Sequence, residues 1–182
     1  GDVDLTVHSL KDLSLERPSQ ITLAAIPRRE NPRDVIVFRG DVTERLQRGE
    51  SLCIGTSAPR RLENVPRFLA RALPGDGNAR VDCVEIRGNV DTRLGRLHEP
   101  EGSARRLDGV VLALAGLIRL WRDARPEGGR ARLNRLLKDI RWMILPLTDC
   151  PSAPGQGALA VECRTAAADV RNTLALLHDE TS

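Results

Sequence analysis

The chain has 182 residues, is 41% hydrophobic and only 2% aromatic, and carries a formal net charge of +3. That supplies apolar material for one large core or two small ones and excludes a disordered chain. No apolar run approaches the roughly 20 residues that cross a bilayer, no signal peptide is visible, and two Phe and two Trp without any Tyr are too few for the stacking platforms of single-strand nucleic-acid binders.

Lys and Arg number 28, of which only Lys11 and Lys138 are lysine, so 26 are arginine, balanced by 25 acidic residues. Arginine offers a planar fork that grips carboxylate or phosphate with two hydrogen bonds. A GC-rich genome accounts equally well for the bulk count, so placement carries more than number. Cys53, Cys83, Cys150 and Cys163 are widely spaced, with no CxxC pair and no Cys/His cluster, which disfavours a metal site and fits a reduced, cytoplasmic protein. The chain opens on Gly1-Asp2-Val3-Asp4 with no Met, inside a strand-like run, and is expected to lack its natural N-terminus.

Strand-like and helix-like segments alternate along the chain. Residues 4–7, 21–26 and 35–38 are apolar runs of strand length. Asp41 with Glu44 three residues on starts a helix over 42–49. Residues 52–54 form a buried-type strand, and Gly55-Thr56-Ser57 leads into a helix with Pro59 in its first turn, expected to split at Pro66. Residues 81–86 alternate as a strand, Arg87-Gly88-Asn89 turns, and Asn89 caps a helix with Val90, Leu94 and Leu97 on one face. A strand over 108–114 precedes a short helix over 115–121. Segments 99–106 and 125–132 read as exposed loops or extended helix ends, and 149–157 as a connector. A strand over 158–163 and an amphipathic helix over 166–178, with Val170, Leu174 and Leu177 inward, close the chain. Such alternation predicts an α/β fold with largely parallel sheets.

Several segments carry residues suited to chemistry. Ser9, Lys11 and Asp12 follow a strand, where open α/β sheets place ligands, although His8 and Asp12 equally suit capping of the turn. Thr56, Ser57, Arg60 and Arg61 gather at a helix start, where free N–H groups and the helix dipole favour an anion. The lack of Gly-Lys-Ser/Thr excludes a phosphate P-loop. Arg87 and Arg93 flank the next strand–helix junction, and Arg119 follows the third. Gln156, in the Gly-rich connector, is suited to a ligand or to its own backbone. Three successive strand ends, each offering arginine, suggest a cleft for a polyanionic small molecule.

The strings DLTVHSLKD (4–12), RENPRDV (29–35), IGTSAPRR (54–61), RGNVDTR (87–93), LALAGLIRL (112–120) and GQGALAVECR (155–164), in this order, resemble the porphobilinogen deaminase (hydroxymethylbilane synthase) family along nearly the whole chain. The resemblance implies a periplasmic-binding-protein-like two-domain fold with a hinge and central cleft. Residues 1–30 and 151–182 would form domain 1, residues 31–150 domain 2, and a third domain would follow Ser182. It implies a transferase of tetrapyrrole and haem biosynthesis that joins four porphobilinogen units, with loss of ammonia, on a covalent dipyrromethane cofactor. By this likeness Asp12 is catalytic. Ser9, Lys11, Thr56, Ser57, Arg60, Arg61, Arg87, Asn89, Arg93, Arg119 and Gln156 would hold cofactor or substrate. The cysteine bearing the cofactor would lie outside this chain, leaving the chain alone inactive. The family expectation is a cytoplasmic monomer with no nucleic-acid, membrane or metal partner. Ala58 and Pro59 stand where the family usually has Ser and Leu, Pro154 where Val is commoner, and residues 122–151 are longer and more basic than usual. These departures leave room for an alternative: a non-catalytic module holding a carboxylated ligand. Asp12 speaks against it, since a pure carboxylate binder gains nothing from a negative charge in its cleft.

Overall fold

The computed structural model describes residues 3–14, 16–74 and 79–182. Gly1 and Asp2 of the opening strand-like run lie outside the described residues. The chain divides into two compact units: Gly1–Pro32 with Ser152–Ser182, and Arg33–Pro151.

In the first unit, β1 (Leu5–Ser9) runs into a 3-10 turn (Leu10–Asp12) and is followed by β2 (Ile21–Ala25). β8 (Leu159–Arg164) lies between β1 and β2 and is antiparallel to both. Leu5 pairs with Cys163 and Thr22 with the same residue from the other side. Helix α6 (Ala168–Ala175) packs Leu174 onto Ala25, Val161 and Cys163. The expected Leu177 is 54% exposed, because the helix ends at Ala175 and carries it past the sheet.

The second unit is built on one five-stranded sheet. In chain order it comprises β3 (Asp34–Arg39), α1 (Val42–Gln47), β4 (Leu52–Thr56), α2 (Pro59–Ala72), β5 (Val81–Glu85), α3 (Val90–Gly95), β6 (Gly109–Ala113), α4 (Leu114–Arg122), α5 (Gly129–Leu136) and β7 (Ile140–Ile144). The strand order is β5-β4-β6-β3-β7. Only β4 makes parallel pairs, with β5 and β6, while β3 is antiparallel to β6 and β7. The sheets are therefore not largely parallel as the alternation predicted. Helix crossovers set β4, β5, β6 and β7 in one direction, but β3, which runs the other way, lies between β6 and β7, so only β4 finds parallel neighbours. Both faces are covered. Val65 and Leu69 of α2 pack with Ile36, Leu52 and Ile54, and Leu94 of α3 and Leu133 of α5 pack with Val35, Val37 and Val110. This explains why β3 and β6 read as unbroken apolar runs.

Two local expectations fail for identifiable reasons, and a third, the helix start at Asp41, holds without a side-chain cap. Pro66 does not split α2, which continues from Pro59 to Ala72. Arg61, Val65 and Leu69 are buried along one stripe on either side of the proline, and that packing outweighs the lost backbone bond. The segment 125–132 runs into helix α5, whose glycine start conceals it. The Asp123 carboxylate accepts the Gly129 N–H at 2.9 Å and so supplies the missing cap from six residues upstream. Asp41 stands at the start of α1 without capping it, because its carboxylate is taken by Arg39 at 3.2 Å.

Gly157 holds the connector to the first unit. Its φ is +94°, its carbonyl accepts the Glu30 N–H at 3.1 Å, and a Cβ there would run into the Glu30 carbonyl oxygen. Replacing Gly157 with Ala should therefore cost about 1–3 kcal/mol, read as a lowered urea midpoint with an unchanged denaturant slope.

Candidate anion-binding site

Three parallel strands, β4, β5 and β6, end at one edge of the second unit's sheet, and the antiparallel β3 begins there. From β4 the chain moves outward to β5 and then returns across β4 to β6, with α2 and α3 on opposite faces. This reversal is the kind of place where open α/β sheets bind ligands.

Asp34, the first residue of β3, sits opposite Ala113, the last of β6, and is fully buried. Two guanidiniums hold it. Arg61 donates from Nε to Oδ2 at 2.9 Å and from Nη2 to Oδ1 at 2.7 Å, and Arg60 donates from Nη1 to Oδ2 at 2.6 Å. Arg61 is 4% exposed and gives its remaining Nη1 to the Val111 carbonyl at 3.3 Å. Arg60, less buried, also donates to the Pro151 carbonyl at 2.7 Å. Burial pushes the Asp34 carboxyl up, but the Arg61 and Arg60 hydrogen bonds and charges outweigh it and hold the group below the ordinary carboxylate value. Sequence reading gave Asp34 no role. Its signal was a lone acid opening the apolar run Val35-Ile36-Val37-Phe38.

The other predicted residues fall into two sets. Arg93 of α3 reaches Ser57 Oγ at 2.8 Å with Nη1 and the Gly88 carbonyl at 2.7 Å with Nε, so the β4 and β5 ends share one bonded cluster. Burial, and then the nearby Arg61 charge, lower the Arg93 pKa. Thr56 is fully buried and its Oγ1 has no hydrogen-bond partner. Helix α2 starts at Pro59 with no side-chain cap from Ala58. Arg119 is half-buried on α4. Asn89 caps α3, accepting the Thr92 N–H at 2.8 Å, and Arg87 is 90% exposed beside Glu85.

In the first unit, Ser9, Lys11 and Asp12 occupy the end of β1 and its 3-10 turn, Ser9 half-buried and the other two exposed. Gln156 is fully buried there, donating from Nε2 to the Pro32 carbonyl at 2.6 Å, while its own carbonyl accepts from Arg29 Nε at 3.0 Å. Among the described residues no cluster of His, Cys, Asp and Glu is placed to hold a metal, and no helix is long and apolar enough to cross a membrane.

A switch-point edge with two fixed guanidiniums on one carboxylate, a third on a serine, and an unpartnered buried hydroxyl defines an α/β unit suited to a carboxylated ligand. The chain belongs to the porphobilinogen deaminase family. The family model described as "Porphobilinogen deaminase, dipyromethane cofactor binding domain" matches residues 1–172. "Porphobilinogen deaminase 1" of Streptomyces avermitilis is 40% identical, covering 98% of this chain and 49% of that protein. "Porphobilinogen deaminase" of Nocardia farcinica is 42% identical over 98% of this chain and 43% of its own length. The Geobacillus kaustophilus protein of that name is 36% identical over 99% and 49%. The chain thus spans about half the length of the curated relatives it matches. Among solved structures, YhfZ from Shigella flexneri overlaps 98% of this chain and 64% of its own at a TM-score of 0.38 and 16% identity.

Replacing Asp34 with Asn leaves the buried Arg61 and the half-buried Arg60 facing a neutral amide and should cost about 3–5 kcal/mol in urea unfolding. Because the folded Asp34 pKa is depressed, its stabilisation is present above the ordinary carboxylate value and is lost as pH falls through the folded value. Acid titration should therefore show the wild type losing stability below about pH 4, with the Asn variant flatter over that range.

Proposed function

We propose that this chain supplies the substrate- and cofactor-holding part of a hydroxymethylbilane synthase. The reaction joins four porphobilinogen units head to tail, releasing ammonia at each addition. The two units would be the two domains of a hinged, cleft-bearing fold. The observation that carries the reading is the Ser57–Arg93 and Arg60–Asp34–Arg61 network at one sheet edge, beside the unpartnered Thr56 hydroxyl. A growing chain of pyrroles bearing acetate and propionate groups needs several fixed cations, and arginine supplies the geometry that lysine lacks.

The same residues fit a dipyrromethane cofactor. Thr56 Oγ1 is a buried hydroxyl awaiting a partner, and Ser57, Arg60 and Arg93 add donors around it. When bound, dipyrromethane supplies the free pyrrole position to which the first substrate is joined. Arg61 would brace Arg60 through Asp34 rather than reach a ligand, since its Nε and both terminal nitrogens already have protein acceptors. Asn89 would set the start of α3 and so aim Arg93, Gln156 would brace the connector, and Arg87 and Arg119 would meet outer carboxylates of a longer chain. Ser9 and Lys11 would bind a substrate carboxylate near Asp12. Asp12 would protonate the departing amine and then stabilise the cation left behind, acting as general acid and as fixed counter-charge.

None of the chain's own thiols suits cofactor attachment. Cys150 and Cys163 are buried. Burial and the neighbouring Cys53 and Asp82 push Cys83 up to about 12, burial pushes Cys150 up to about 11, and burial also raises Cys53. A thioether needs an accessible thiolate, so the attachment cysteine would lie elsewhere in the parent protein and this chain alone would be inactive. A soluble cytoplasmic monomer completes the proposal.

The test follows porphobilinogen consumption and intact mass in the parent protein. Asp12→Ala should lower turnover by about 10²–10⁴-fold while a dipyrromethane adduct remains visible. Arg93→Leu should abolish or weaken retention of the adduct. A folded parent with no turnover and no adduct would replace this reading with that of a carboxylate-binding module. In the 182-residue chain, Cys53, Cys83 and Cys150 should resist alkylation at pH 8 until the protein is unfolded.

A further inference from the structure

Asp12, the proposed acid of the first unit, is exposed, so the packing of its own side chain does little to fix it. Its place is set by the backbone of the 3-10 turn Leu10–Asp12, and Leu10 is where that turn is fastened. Ser9 ends the β1–β8 ladder opposite Leu159. Just beyond it the Leu10 N–H donates to the Ala158 carbonyl at 3.0 Å. The Leu10 carbonyl accepts the Leu13 N–H at 3.2 Å, which closes the turn around Lys11 and Asp12. The half-buried Leu10 side chain lies against Gly155, where an added Cβ would stand 3.1 Å from Leu10 Cγ and 3.2 Å from Cδ2. With a φ of +67° as well, position 155 suits glycine on two counts.

The support under Leu10 is itself held. The Gly155 carbonyl accepts the Ala158 N–H, and the Ala153 carbonyl accepts the Gln156 N–H, both at 3.1 Å, so two successive turns lock the connector. On its other side Gln156 donates to the Pro32 carbonyl at 2.6 Å, and the Gly157 carbonyl accepts the Glu30 N–H at 3.1 Å. A leucine seated on backbone fixed in this way has little room to slide, and the carboxylate two residues on moves with it. We propose that Leu10, seated on Gly155, is the positioning residue for Asp12, and that this contact aims the carboxylate at the departing amine. The inference rests on the reading of Asp12 as the general acid, whose proton transfer depends on hydrogen-bond reach. A misplacement of about 1 Å in such a group lowers the rate by about 100-fold.

The test uses the parent protein carrying its adduct. Leu10→Ala should lower kcat by about 10–100-fold, leave KM within about twofold, and keep the dipyrromethane adduct in the intact mass. Leu10→Met, which restores the volume, should return kcat to within about threefold of the wild type. Gly155→Ala, which crowds the leucine from the other side, should lower kcat in the same way. In an Asp12→Ala background, Leu10→Ala should lower turnover by no more than about twofold further, because residues that act as a unit are not additive. Hydrogen exchange over residues 9–13 should quicken in both alanine variants. The proposal is overturned by unchanged kcat in Leu10→Ala and Gly155→Ala, by a rise in KM alone, by an equal loss in the Asp12→Ala background, or by unchanged exchange over residues 9–13. It is equally overturned if both variants lose the adduct, since the contact would then serve folding. A wild-type parent without turnover would remove the general acid and this proposal with it, whereas turnover with unaltered variants sinks the role of Leu10 alone.

Discussion

The buried Asp34 carboxylate, caught between two arginines, is the interaction on which the second unit's working edge depends. It ties the first residue of β3 to the first turn of α2, and so joins an antiparallel strand to the helix that leaves a parallel one. One carboxylate between two guanidiniums also leaves the edge with a surplus positive charge in a poorly solvated place. Arg93 registers that surplus, since the Arg61 charge adds to burial in lowering its pKa. A fixed field of this kind costs no rearrangement when an anionic ligand arrives, because the cations are held by the protein beforehand.

The two units differ in how they cover their sheets. In the second, helices pack on both faces, and the central strands are apolar throughout. In the first, α6 covers the β8–β2 side, while Leu5 and Val7 of β1 and Val3 just before it remain 40–59% exposed. The catalytic candidate Asp12 thus follows a strand whose apolar side chains are exposed, while the arginines proposed to hold anions sit on a sheet covered on both faces.

Much of this was readable from the residues. Strand positions followed from apolar runs, and Asn89 was legible as a cap because its side chain can satisfy only the local Thr92 N–H. Strand direction was not legible. A strand followed by a helix looks the same whether the next strand pairs parallel beside it, as β5 does with β4, or lands beyond the reversed β3 and pairs antiparallel, as β7 does. Helix α5 was hidden because its cap comes from Asp123 rather than from the residue before it. The arginines at the strand ends were visible, but their division of labour was not. That Arg61 is fully engaged while Arg60 also reaches the Pro151 carbonyl depends on Asp34, which is distant in sequence from both.

The placement of β8 also dictates an order of assembly. It is the middle strand of its sheet, yet Leu5 and Thr22 find their common partner Cys163 only after the whole of Arg33–Pro151 has been made. During synthesis the second unit is contiguous and can complete its own sheet first, while β1 and β2 wait with unpaired edges for a strand that has not yet left the ribosome. Such edges readily pair with the wrong chain. In a nascent protein this makes the interval between the completion of Pro151 and the arrival of Arg164 the period of greatest exposure to aggregation, and a slowing of translation just after the second unit would lengthen it.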